Sequence, residues 1–273
     1  GKTMDLSTAF GLIIGLGLIV LAILGKQGDL SSFLDATSIG IVLGGTFAAT
    51  LVNYPIKNVL GIFKVLGQVF RKSDLSHQRV INELVDKAEK SRKTGIMSLE
   101  ADLGNIDDKF LRSGLELAIN ERDPARLRNY LELEMSNIDR RHNLGQEIFL
   151  YMGAYAPAFG LLGTVLGLII MMSNFGGTGD TGIGAVDFDV AKRFEDLLGG
   201  MGMALITTFY GVLFSNLLFL PMAGKLKRKS EEELMMKDIM LEGIIGIHAK
   251  DHPIILREKL MTFVPQRERL EEE

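Results

Sequence analysis

The chain has 273 residues, 30 of them Lys or Arg and 34 Asp or Glu, for a formal net charge of −4. So even a balance offers no basic surplus, and no nucleic acid is expected as a partner. The absence of Cys excludes disulfides and thiolate-held metals.

Four long apolar runs dominate the hydropathy pattern, and none contains an Asp, Glu, Lys, Arg or His. They lie between Asp5 and Lys26, Asp35 and Lys57, Glu147 and Asp180, and Asp196 and Lys225. Each matches or exceeds the ~20 residues that cross a bilayer as a helix. The chain therefore reads as an all-α integral membrane protein with four transmembrane helices. A machine that moves ions usually keeps an ionisable group within the membrane to load and release charge. With none here, a partner must supply it.

In chain order, Gly1-Lys2-Thr3 reads as residues appended ahead of a native Met4, and the first run as a retained anchor, since no small-residue cleavage site follows it. Residues 4–56 read as a transmembrane hairpin, with helix one at about 6–25, helix two at about 36–56 and an outward loop from Gly28 to Asp35. Gly11 and Gly15, and Gly40 and Gly44, have the spacing of close helix contacts.

Residues 57–147 read as a cytoplasmic helical domain. Lys57, Lys64, Arg71 and Lys72 precede its first acid, Asp74, and Lys225, Lys227, Arg228 and Lys229 follow the fourth run. Such basic flanks mark the cytoplasmic side. The other connections carry fewer bases: only Lys26 within 25–35, and Lys192 and Arg193 against five acids within 176–196. Those loops face outward and both termini inward. Within the insertion, Ser76 can cap a helix through Thr94 with Gly95 as its stop, Ile96 to Leu103 forms a short helix, and Asp107 to Asn120 another. Val80, Leu84, Val85 and Ala88, with Phe110, Leu111, Leu115 and Ile119, recur at helical spacing and form a small bundle core.

Asp123-Pro124 is a strong helix start, a capping carboxylate with proline in the first turn. The helical pattern then runs to Gly176-Gly177, one rod of roughly 75 Å that enters the membrane near Ile148. Residues 148–224 hold transmembrane helices three and four around the outward loop 176–196, with helix four at about 197–220. Residues 225–273 form the cytoplasmic C-terminal helices, helix four continuing to about Lys250 and a short helix starting near Pro253. Rods that cross the interface can carry a membrane event inward as rigid-body motion.

Two faces could carry chemistry. Pro157, Thr164 and Met171 are spaced by seven on helix three beside Gly160, Gly163 and Gly167, and Thr207, Thr208, Gly211 and Ser215 form a polar face on helix four. Pro157 leaves the Gly153 carbonyl without its helical partner, and Pro221 does the same to Leu217. The hydroxyls either bond back to their own helix or line a path with neutral oxygens for a hard monovalent cation. Arg92, Lys93, Glu100 and Asp102 make a charged patch that is either a solvated face or an electrostatic docking surface. The glycine-rich 176–182 segment lacks the Lys-Ser/Thr ending of a phosphate loop, Asp187 and Asp189 complete no calcium loop, and the four His are scattered. No enzyme chemistry and no bound cofactor are expected.

Over nearly its whole length the chain resembles the A subunit of the bacterial flagellar stator, the MotA/PomA type. The resemblance rests on the order of its segments and on Lys90-Ser91-Arg92-Lys93 leading to Ser98-Leu99-Glu100, Ala156-Pro157-Ala158-Phe159-Gly160, and Leu218-Phe219-Leu220-Pro221. It implies rotor contact by Arg92, Lys93 and Glu100, and conformational coupling at Pro157 and Pro221. Gly163-Thr164 and Thr207-Thr208 follow the sodium-driven pattern, which implies an ion pathway past Thr164, Thr207 and Thr208, with sodium held by Thr164, Thr208 and a partner Asp. The resemblance further implies a homopentameric ring in the inner membrane around a dimer of B subunits (MotB/PomB type), each with one helix carrying that Asp, and torque on the rotor protein of the flagellar switch. Asp102 has no equivalent in the family pattern, and the outward loop is longer. The competing readings are an ExbB/TolQ-type energiser of outer-membrane transport, against which four spans and the Arg92 to Glu100 motif argue, and a non-conducting scaffold.

Overall fold

The computed structural model describes residues 6–26, 28–69, 76–176 and 190–264. Gly1 to Asp5, Arg71, Lys72, Asp74, the 177–189 part of the outward loop with Asp180, Asp187 and Asp189, and the C-terminal 265–273 lie outside the described residues. Among the described residues all regular structure is helical. In order these are α1 (Leu6–Gly25), a 3₁₀ turn (Leu30–Phe33), α2 (Ala36–Ile39, a π-helical turn Gly40–Gly44, then Gly45–Asn53), α3 (Ile56–Val69), α4 (His77–Thr94), a 3₁₀ segment (Ile96–Asn105), α5 (Lys109–Asn120), α6 (Pro124–Gly176), α7 (Val190–Leu213, a π-helical turn Phe214–Phe219, then Leu220–Ala249) and α8 (Pro253–Met261). Four of them are long and apolar enough to cross a membrane, in Ser7–Gly25, Leu30–Asn53, Pro124–Ser173 and Leu197–Ala249.

The chain forms two units, residues 1–72 with 144–226, and 73–143 with 227–273. In the first, short side chains start the elements. Asp29 accepts from Ser31 N at 3.0 Å, and Asp35 caps α2 by accepting from Ser38 N at 2.7 Å. The buried centre joins Val42 of α2, Val59 of α3, Ile148, Phe149, Met152 and Ala156 of α6, and Tyr210, Phe219, Met222 and Ala223 of α7. Tyr210 Oη donates to the Phe33 carbonyl, and the Phe33 ring meets Phe209 edge-on at 5.8 Å, fixing the 3₁₀ turn on α7.

The glycine spacing misled about the first two helices. Gly11, Gly40 and Gly44 face open space, whereas Gly15 lies against the Leu217 side chain of α7 and Gly45 against the Phe159 ring of α6. Thr8 of α1 accepts a hydrogen bond from Lys225 of α7. Helix one thus leans on α7, because a small-residue repeat signals close packing without naming the partner.

In the second unit, Ser76 accepts from Arg79 N at 3.3 Å, Asp108 from Leu111 N at 2.9 Å and Asp123 from Ala125 N at 2.9 Å, so α4, α5 and α6 each begin on a side-chain cap. The core takes Ile81, Leu84 and Ala88 from α4, Leu99 from the 3₁₀ segment, Phe110, Leu111 and Leu115 from α5, Leu127 and Leu131 from α6, Ile239, Ile244 and Ile247 from α7, and Leu256 and Leu260 from α8. Val80, Val85 and Ile119 are half-buried at its edge.

A three-helix ion cluster borders this core. Glu242 of α7, beyond the uncharged run, accepts from Arg128 of α6 at 2.8 Å and from Lys259 of α8 at 2.5 Å. Its carboxyl is held below the ordinary value of 4.5, first by the Arg128 hydrogen bond and then, against partial burial, by Lys259. A depressed carboxyl stabilises the fold above its unfolded pKa and loses that contribution as pH falls through the folded value. Glu242→Gln should therefore cost about 1–2 kcal/mol near pH 7, after allowance for screening of a partly exposed group. Unfolding curves of wild type and variant should converge as pH drops below the usual glutamate range; a gap that stays constant down to pH ~3 contradicts the assignment.

Candidate functional site

The first unit holds a close crossing of α6 and α7 that only glycine permits. A Cβ on Gly211 would sit 2.7 Å from the Ala156 carbonyl, 3.0 Å from Gly160 Cα and 3.2 Å from Pro157 Cα, and one on Gly160 would sit 3.0 Å from the Thr207 carbonyl. Backbones this near leave room for short polar side chains alone. Thr164 Oγ1 and Thr208 Oγ1 are hydrogen-bonded across the crossing. Thr164 Oγ1 also lies 3.2 Å from the Gly160 carbonyl and 3.1 Å from that of Ala204, and Thr208 Oγ1 lies 3.5 and 3.4 Å from the same two.

The result is a cluster of four neutral oxygens, two hydroxyl and two carbonyl. Two hydroxyl protons serve it, one between the threonines and one directed at a carbonyl, so lone pairs remain. Thr164 is half-buried and Thr208 exposed, so the cluster opens from the crossing onto the surface of the chain. Thr207 is elsewhere: it is fully buried, packs where Gly163 leaves space, and lies 2.9 Å from the Ala204 carbonyl and 3.2 Å from that of Met203 in its own helix. Both readings of the hydroxyl faces are thus realised, back-bonding at Thr207 and meeting across helices at Thr164 and Thr208.

One turn below, the carbonyl freed by Pro157 has found a partner. Ser215 Oγ of α7 donates to the Gly153 carbonyl at 2.6 Å, with both residues buried. The Pro221 end differs from simple release of Leu217. The preceding turn is π-helical, and Leu220 N–H donates to the Ser215 carbonyl five residues back. A π turn widens the helix where a proline ring would otherwise press on the carbonyl four residues earlier.

In the second unit, α4 ends at Gly95, whose φ of 89° lies in the region that disfavours a side chain and turns the chain into the 3₁₀ segment. Lys90 reaches Asp102 at 2.7 Å and braces α4 against that segment, while Thr94 Oγ1 bonds Ser98 Oγ at 2.7 Å. Lys90, through its hydrogen bond, holds the Asp102 carboxyl below its ordinary range. Lys93 pairs with Glu89 on its own helix at 2.5 Å. Arg92 and Glu100 are exposed and take part in no ion pair among the described residues. The patch is therefore a braced frame, Lys90 with Asp102, carrying two uncommitted charges of opposite sign.

The model of the MotA/TolQ/ExbB proton channel family matches residues 102–239. The motility protein A of Treponema phagedenis is 35% identical over 270 residues, covering 98% of this chain and 97% of that protein, and the motility protein A of Borreliella burgdorferi is 33% identical, covering 97% and 96%. The chain belongs to this family. The structure of the flagellar MotAB stator complex from Bacillus subtilis matches with a TM-score of 0.83 at 26% identity, covering 97% of this chain and 98% of that one. These near-complete matches are to motility proteins, which removes the ExbB/TolQ alternative. The protein is a MotA-type stator subunit of the flagellar motor, a channel and motor component and not an enzyme.

Among the described residues no group of His and acidic side chains could hold a metal. Of the site residues expected from sequence, Thr164 and Thr208 come together, Pro157 lies against Gly211 beside them, and Arg92 and Glu100 stand on one braced frame. Sequence reasoning missed the Gly160 and Ala204 carbonyls, since backbone acceptors leave no mark in side-chain identity, and the ion-pairing that occupies Lys93.

Proposed function

We propose that this MotA-type subunit works as a sodium-driven stator. Five copies surround a dimer of B subunits whose single helix carries an Asp, with both termini and residues 57–147 in the cytoplasm. The observation that carries the reading is the four-oxygen cluster at Thr164 and Thr208 in a membrane segment without a charge of its own. Hard cations need several oxygens to replace water, and neutral oxygens alone hold them weakly, so a carboxylate from the B helix completes the site. Likeness to a subunit of MotAB complexes supports that partner. Pro157 and Pro221 supply the places where α6 and α7 yield as the Asp gains and loses its ion. Arg92 and Glu100, with Lys93 beside them, engage the rotor.

Thr164→Ala tests the reading. It removes one cluster oxygen and its hydrogen bond to Thr208 while filling no space, so the A/B complex should assemble at normal levels with rotation that needs several-fold more external sodium. Rotation at full speed with unchanged sodium dependence, or wild-type rotation unaffected by sodium removal, rejects sodium as the driving ion in favour of the proton named in the family description.

A further inference from the structure

The two proline features of α6 and α7 meet at one side chain. Pro157 deprives the Gly153 carbonyl of its helical amide, and Ser215 Oγ donates to that carbonyl at 2.6 Å. The Ser215 carbonyl in turn accepts the Leu220 N–H, the five-residue bond of the π turn that runs into Pro221. Ser215 is 2% exposed.

A serine inside an apolar helix ordinarily returns its proton to the carbonyl four residues back. Asn216 beside it does so with its amide, donating to the Val212 carbonyl at 3.0 Å. Ser215 instead reaches across to the other helix. The Gly153 carbonyl needs such a donor whatever the bend of α6, because proline can never supply one and water is scarce at this depth.

We propose that Ser215 is a positioning residue that ties the bend of α6 at Pro157 to the π turn of α7, so that neither helix changes alone. The proposal rests on the reading of Pro157 as a coupling point. If α6 changes its bend, the Gly153 carbonyl moves relative to α7, and the hydroxyl follows or the bond is lost. A π turn can follow cheaply, since moving between five-residue and four-residue bonding shifts one bond at a time. Loss of a hydrogen bond of this kind shifts the balance between two bends by about 2- to 10-fold. The cluster of Thr164 and Thr208 sits on the same two helices, so the tie connects the ion-facing oxygens to the bend.

A double-mutant cycle on the full A/B complex decides the matter, using Ser215→Ala, Pro157→Ala, the double variant and Ser215→Thr. Torque per stator unit and the thermal midpoint of the purified complex are read in each. Ser215→Ala should lower both, and Ser215→Thr, which keeps the hydroxyl, should restore most of the loss. Pro157→Ala gives the Gly153 carbonyl an amide of its own, so adding Ser215→Ala to it should change neither quantity. A full further loss in the double variant, wild-type torque in Ser215→Ala, or no rescue by Thr each overturns the proposal. If Ser215→Ala fails to accumulate, its recovery in the double variant supports the tie and continued failure overturns it. If Pro157→Ala alone turns the motor normally, the coupling-point reading falls. The midpoints would then still decide whether Ser215 serves that carbonyl.

Discussion

Gly211→Leu is expected to abolish motility and to reduce the amount of assembled A/B complex sharply. The first side-chain carbon would meet the Ala156 carbonyl at 2.7 Å, Gly160 Cα at 3.0 Å and Pro157 Cα at 3.2 Å. These neighbours are main-chain atoms of a helix and cannot swing aside as a flexible side chain would. The helices must separate, at a cost of about 3 kcal/mol or more. Separation pulls Thr164 from Thr208 and Ser215 from the Gly153 carbonyl together. Motility and complex yield measured side by side check this; a variant that assembles and swims as wild type would show that the two helices cross less tightly than these distances require.

The second large effect is expected at Arg92. Arg92→Glu should leave membrane insertion and the thermal midpoint near wild type, because exposed substitutions away from special features move stability by only ~0.5 kcal/mol. Torque should nevertheless fall severely. A contact between exposed charges is screened over about 8–10 Å at ordinary salt, so it must form at close range, and a reversed sign turns attraction into repulsion there. Reversing one acidic residue on the rotor at a time should return part of the torque for one of them. Unimpaired swimming in Arg92→Glu removes Arg92 from the rotor surface. Lys90→Glu should behave differently: it breaks the brace to Asp102 and should lower stability and torque together.

What could be read from the sequence depended on the kind of signal. Membrane helices were legible because a stretch of 20 or more residues without charge is long enough to span a bilayer and is rare outside one. The helix starts at Ser76 and Asp123 were legible because a cap is local chemistry, a side-chain oxygen two or three residues before the amides it serves. Burial of Leu84, Ala88, Phe110, Leu111 and Leu115 followed from periodicity. The partners of α1 and α2 were not legible, since Gly15 would look the same whether it met α2 or, as it does, Leu217.

At the site, the threonine pair could be placed at similar depth by counting rise along two antiparallel helices. Which of Thr207 and Thr208 faces Thr164 could not be, for adjacent residues differ by about 100° of rotation and that phase is set by the glycine crossing. The π turns at Gly40–Gly44 and Phe214–Phe219 had no sequence mark beyond the proline that follows the second.

Helix α1 is bordered by lipid along its length, its span being 0% buried within the chain, and its described ties to α7 are Gly15 against Leu217 and Thr8 with Lys225. Those residues are separated by about 200 positions of chain, so the first segment to leave the ribosome has no seat until nearly the last membrane segment has been made. During synthesis α1 must wander as a lone apolar rod, held by nothing but the bilayer. Chains cut short before Leu217 should therefore leave it unplaced, a natural point for membrane quality control to recognise an unfinished subunit.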